Sequence, residues 1–153
     1  MGNDNHEIRG EFPYSRECVL KKFERYSSNE LRFYSRKRNF DLGSPHKDVS
    51  KLSPYLRRRL LSENEVLKVA LREHTPSSLE KFIQEIFWRT YWRGWLERRP
   101  NVYQDYLNSK NEADFAGKTG IKCFDHWTEE LIETGYLHNH ARMWYASIWI
   151  FTL

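Results

Sequence analysis

The 153-residue sequence predicts an all-α fold, and three observations lead to that expectation. Apolar side chains recur at i, i+3 and i+4, the spacing of one helix face. Serines, prolines and glycines stand at the edges of these stretches as helix starts and stops. The roughly thirty residues before Tyr34 show no strand–helix alternation and are too few to hold an α/β layer.

Residues 1–14 are polar without a period and read as a flexible leader, which leaves 15–153 as the helical domain. Ser15 is placed to cap a first helix with Val19, Leu20 and Phe23 on its apolar face. A break at Ser27-Ser28-Asn29 then leads to a short helix with Leu31 and Tyr34. Pro54 opens another helix, with Ser50 and Ser53 ahead of it offering hydroxyls and free N–H groups to an anion; taken alone, the serines read as ordinary caps. Ser62 and Glu65 form a capping box for a helix through Val66, Leu67, Val69 and Ala70 that stops at Thr75-Pro76.

Ser77 and Glu80 predict a second box, opening a long helix that runs to Pro100. On it Leu79, Ile83, Ile86 and Thr90 share a face suited to a core, and Glu85, Trp88, Arg89 and Trp92 share another. Then comes a polar connection, anchored by Tyr103, Tyr106 and Phe115, with Gly117 and Gly120 bracketing its exit. Thr134-Gly135 divides the last two helices, because glycine takes a positive φ without a Cβ clash. Asn139, Arg142 and Met143 share one face of the final helix, and an amide, a guanidinium and a thioether together read as a site lining. Trp144, Ile148, Trp149, Ile150, Phe151 and Leu153 make that helix apolar nearly all round.

Aromatic residues at 16%, with few glycines and prolines, exclude a disordered chain, and no apolar run is long enough for a membrane span or signal peptide. Cys18 and Cys123 are far apart and match no metal-ligand spacing, which favours a reduced intracellular compartment. His138 and His140 at i, i+2 point apart with no chelating partner beside them, so no metal is expected. The net charge of +4 is modest, yet basic residues cluster at Arg36-Lys37-Arg38, Arg57-Arg58-Arg59 and Arg98-Arg99. Such clusters either neutralise phosphates or form solvated faces of mixed charge.

Three segments resemble the flavin-binding region of the DNA photolyase and cryptochrome family. The first is Thr119-Gly120, Asp125, Thr134-Gly135, His138-Asn139, Arg142-Met143 and Ala146-Ser147; the second is Tyr34, Arg38, Ser50, Leu52 and Ser53; the third is Glu85, Trp88, Arg89 and Tyr91-Trp92. Tyr136, His140 and Val49 depart from the family's usual tryptophan, arginine and threonine. The resemblance implies an all-helical FAD-binding domain, without the antenna domain and incomplete at its C-terminus, since the family continues for roughly a hundred residues. A chain of this extent is expected to hold FAD poorly by itself.

The resemblance further implies blue-light-driven repair of a pyrimidine dimer flipped out of DNA, with FAD as cofactor. Glu85, Trp88, Asn139 and Met143 would line the lesion pocket. Tyr34, Ser50, Lys51, Leu52, Ser53, Arg89, Asn139 and Arg142 would hold the flavin. The implied partner is DNA containing a UV photoproduct, with an antenna protein supplied in trans as a further expectation, in the cytoplasm or, in a eukaryote, the nucleus. A cryptochrome-like photoreceptor without repair activity and a helical fragment that binds no flavin are the alternatives.

Overall fold

The computed structural model describes residues 15–108 and 119–151. The expected leader, Phe115, Gly117 and Leu153 lie outside these. Every described element is a helix, in the order α1 (Arg16–Asn29), a 3-10 turn (Leu31–Phe33), α2 (Tyr34–Lys37), α3 (Ser53–Arg57), α4 (Glu63–Ala70), α5 (Glu80–Glu97), α6 (Pro100–Asn108), α7 (Lys122–Thr134) and α8 (Asn139–Phe151). No helix among the described residues is long and apolar enough to cross a membrane.

The local signals hold at four helix ends. Ser15 caps α1 by accepting from the Cys18 N–H. Ser62 and Glu65 form the reciprocal capping box of α4. Pro54 lies in the first turn of α3. Gly135 ends α7 at φ 68°, in the left-handed region.

Four expectations are corrected. Ser27-Ser28-Asn29 does not break α1, because Ser28 Oγ donates to the Glu24 carbonyl and Asn29 Nδ2 to that of Arg25, so these side chains follow the helix instead of competing with it. Helix α4 ends at Ala70, short of Thr75-Pro76. The Ser77–Glu80 box does not form: Ser77 Oγ pairs with Thr75 Oγ1, Glu80 accepts from Gln84, and Leu79 stands at the N-cap. On α5 the buried positions are Leu79, Phe82 and Ile86, whereas Thr90 is exposed.

One core joins α1, the 3-10 turn, α3, α4 and the first half of α5 around Val19, Phe23, Leu31, Leu56, Leu61, Val66 and Phe82. Each such side chain contributes about 1.5–3 kcal/mol when fully buried. The α7–α8 hairpin has its own centre, where Phe124 is buried and stacks on Tyr145 at 4.5 Å. Tyr136, Leu137 and His138, buried in the link between α7 and α8, face the loop 39–52. The division along α5 matters below: its first half is core, and its second half carries Trp88, Tyr91 and Trp92 about half exposed.

Candidate functional site

The turn before α3 meets α5 and the α7–α8 link around a cleft of about 520 Å³. Tyr34, Ser50, Lys51, Leu52, Ser53, Glu85, Trp88, Arg89, Asn139 and Arg142 all line it. Met143 does not; it is exposed one turn along α8, its sulfur 4.0 Å from the Asn139 amide. Val49, Phe82, Trp92, Tyr136 and His140 complete much of the wall. Tyr136 and Val49 stand at positions the family motifs already marked, whereas Phe82 lies beside the expected core face of Leu79, Ile83 and Ile86.

Four lining side chains are cationic, Arg38, Lys51, Arg89 and Arg142, against the single carboxylate of Glu85. Arg38 ion-pairs with that carboxylate and lies over the Tyr34 ring. Arg89 donates to the Ser53 carbonyl at 3.2 Å, and Arg142 to the Leu137 carbonyl at 3.0 Å, so both guanidiniums are held by backbone rather than neutralised. Burial lowers the Arg89 pKa, and the nearby Arg57, Arg59 and Arg142 push the same way against Glu63. Lys51 is almost fully buried and takes a left-handed φ of 52°. Its ammonium sits 5.7 Å from the Tyr136 ring, and burial brings its pKa down to about 8, opposed by the charge of Glu130. Burial pushes the phenols of Tyr34 and Tyr136 up to about 12, which keeps them as hydroxyl donors at neutral pH.

Behind this wall lies a polar cluster. The imidazole of His46, with 1% of its side chain exposed, hydrogen-bonds the Glu130 carboxylate through Nε2, while Nδ1 faces Asp41 at 3.4 Å. The same ring lies 5.3 Å from Tyr136 and 6.0 Å from His138. His138 in turn accepts the His140 N–H at Nδ1, and its pKa is lowered, chiefly by burial. His46 thus ties the loop that leads to Ser50 and Lys51 to α7. No motif marked His46, Asp41 or Glu130. Among the described residues no group of three His, Cys, Asp or Glu side chains is placed to hold a metal ion.

At the start of α7, the Asp125 carboxylate accepts from the N–H and Oγ1 of Thr119 and from the Gly120 N–H at 2.7–3.0 Å. These motif residues therefore serve as a helix lock rather than as cleft lining.

No family model and no solved structure matches the chain. Among curated proteins it is 26% identical over 144 residues to a deoxyribodipyrimidine photo-lyase of Alkalihalophilus pseudofirmus, covering 86% of this chain and 29% of that protein. It is 24% identical over 156 residues to the deoxyribodipyrimidine photo-lyase of Neurospora crassa, covering 89% and 25%. With that of Streptomyces griseus the identity is 32% over 115 residues, covering 69% and 25%. The chain therefore spans between about a quarter and a third of the length of the curated relatives it matches. Over most of its own length, it is a distant and partial relative of the deoxyribodipyrimidine photo-lyases.

Proposed function

We propose that the cleft binds FAD and forms part of the site of a light-driven lyase acting on pyrimidine dimers in DNA. The observation that carries this reading is the gathering of four cations, two indoles and one carboxylate around a single cleft. The excess positive charge suits a pyrophosphate, and Ser50 and Ser53 add hydroxyls on the same side. The indole faces of Trp88 and Trp92 suit flat heterocycles, since stacking on an aromatic contributes roughly 1–3 kcal/mol per base.

Reduced FAD, when bound, supplies the photo-excited electron for cleavage of the dimer. The chain's own residues bind and orient. Lys51, Arg89 and Arg142 would hold phosphate oxygens, and Tyr34 would donate its hydroxyl. Arg38 fixes the Glu85 carboxylate at the cleft wall, where it would accept N–H donors from an extruded base. Trp88 would stack on that base, offsetting part of the few kcal/mol that extrusion requires.

Titration of the chain with FAD and with riboflavin, which lacks phosphate, tests the cleft: FAD is expected to bind about tenfold or more tightly, as one charge-assisted contact allows. Weak binding is expected of the chain by itself, and equal affinities for the two flavins would remove the reading. For the lesion side, Trp88→Ala in the flavin-loaded protein should leave flavin absorbance in place and weaken binding of a dimer-containing oligonucleotide by about tenfold. Unchanged lesion affinity would make Trp88 a packing residue.

A further inference from the structure

The second half of α5 carries a row of rings that begins at the cleft and runs away from it. Trp88 stacks on Trp92 at 6.2 Å, Tyr91 meets both edge-on at 5.3 Å, Trp92 meets Trp95 at 5.6 Å, and the Arg99 guanidinium covers Trp95 at 4.2 Å. Positions 88, 91, 92 and 95 fall on one face of α5, Arg99 follows just past its end, and the row is about 16 Å long at about 1.5 Å per residue. Trp88 and Trp92 line the cleft, whereas Tyr91, Trp95 and Arg99 lie beyond it. Core packing does not account for this row, because Tyr91 is 55% exposed and the buried side of α5 is elsewhere.

The charge along the row is one-sided. Between Trp88 and Arg99 the helix and its end carry Arg89, Arg93, Arg98 and Arg99 against Glu97, which is paired with Arg93. Aromatic faces interleaved with guanidiniums are complementary to a strand that offers both phosphates and unpaired bases. A duplex offers the phosphates alone, because its bases are already stacked on one another. We infer that the α5 row is a track for single-stranded nucleic acid, which guides the strand flanking the cleft across Tyr91 and Trp95 with Arg99 at its far end. The inference rests on the proposed function only for what enters the cleft; Tyr91, Trp95 and Arg99, which carry the track away from it, lie outside the lining.

Fluorescence anisotropy with a labelled oligothymidylate of about 12 nucleotides and a duplex of equal length tests it, at fixed salt. The chain should bind the single strand at least about fivefold more tightly than the duplex. Tyr91→Ala and Trp95→Leu should each weaken single-strand binding about tenfold, leaving the duplex within about twofold, and Trp95→Phe should restore most of the loss. Tyr91→Ala removes an exposed ring, so its effect is readable even where a Trp95 variant folds poorly. Equal affinity for the two nucleic acids, or an unchanged Tyr91→Ala, would overturn the inference. So would variants that alter only self-association or binding to lipid vesicles, since the row would then be a protein or membrane contact. FAD and riboflavin titrations of the same samples keep the readings apart: single-strand binding with no preference for FAD over riboflavin removes the cleft reading and leaves the track, and the reverse removes the track alone.

Discussion

Substituting His46 tests the link between the polar cluster and the cleft. The residue has φ 50°, which asparagine also tolerates, so His46→Asn removes the ring without adding backbone strain. Glu130, with 7% of its side chain exposed, then loses its hydrogen-bond partner, whereas Asp41 at 21% still reaches water. Stranding one member of a buried pair costs about 3–5 kcal/mol. Against a total stability of about 5–15 kcal/mol, the variant is severely weakened. In urea denaturation followed by tryptophan fluorescence, the midpoint should fall by at least about 1 M at unchanged slope. His46→Asn/Glu130→Gln should recover part of the loss, because the neutral amide leaves no buried charge. A loss below about 1 kcal/mol, or a double variant no better than the single, would refute the reasoning, since the pair would then contribute like an exposed one.

Two further outcomes follow from the same geometry. Burial holds the Lys51 pKa at about 8, so affinity for a phosphate-bearing ligand should fall as pH rises through 8 and the ammonium loses its proton. The unfolded chain keeps that proton to about 10.4, so stability should rise with pH between those values. Lys51→Met should abolish both dependences; a pH-independent wild type in ligand titration and denaturation would contradict them. Gly135→Ala should destabilise by about 1–2 kcal/mol, read by thermal melting, because a Cβ there meets no atom and the whole effect is left-handed strain. An unchanged melting temperature would mean that the α7 end re-forms in another conformation.

What the sequence made legible was local. The Ser62 box, Pro54 and Gly135 act through near neighbours in sequence: the first two open their helices and the third closes its own, as expected. The fold class followed from periodicity, and the cleft lining followed mostly from the motifs, with Met143 standing outside the wall. What was not legible depends on distance. His46 and Glu130 are 84 residues apart, and nothing in the text around either says that they meet. The α5 core face follows the expected Leu79, Ile83 and Ile86, but Phe82 joins it and Thr90 does not, because the surface of α1 and α4 covers only the first half of the helix. The failed Ser77 box has a local cause instead: Thr75, two residues away, takes the Ser77 hydroxyl.

The tether from His46 to Glu130 also sets an order of assembly. The core of α1, α3, α4 and early α5 draws only on residues up to Ile86, so its closure does not require α7, which emerges later on a growing chain. His46 must then wait for 84 further residues, between about 4 and 17 s at 5–20 residues per second, before its partner emerges. Through that interval the loop bearing His46, Ser50 and Lys51 is held from one side only, by Tyr26 and Lys37 at Asp48, while the left-handed His46 lacks its contact with α7. The cleft is consequently a late product of synthesis, finished when the hairpin docks. The first core is thus set while the turn that lines the cleft is the last part to find its shape.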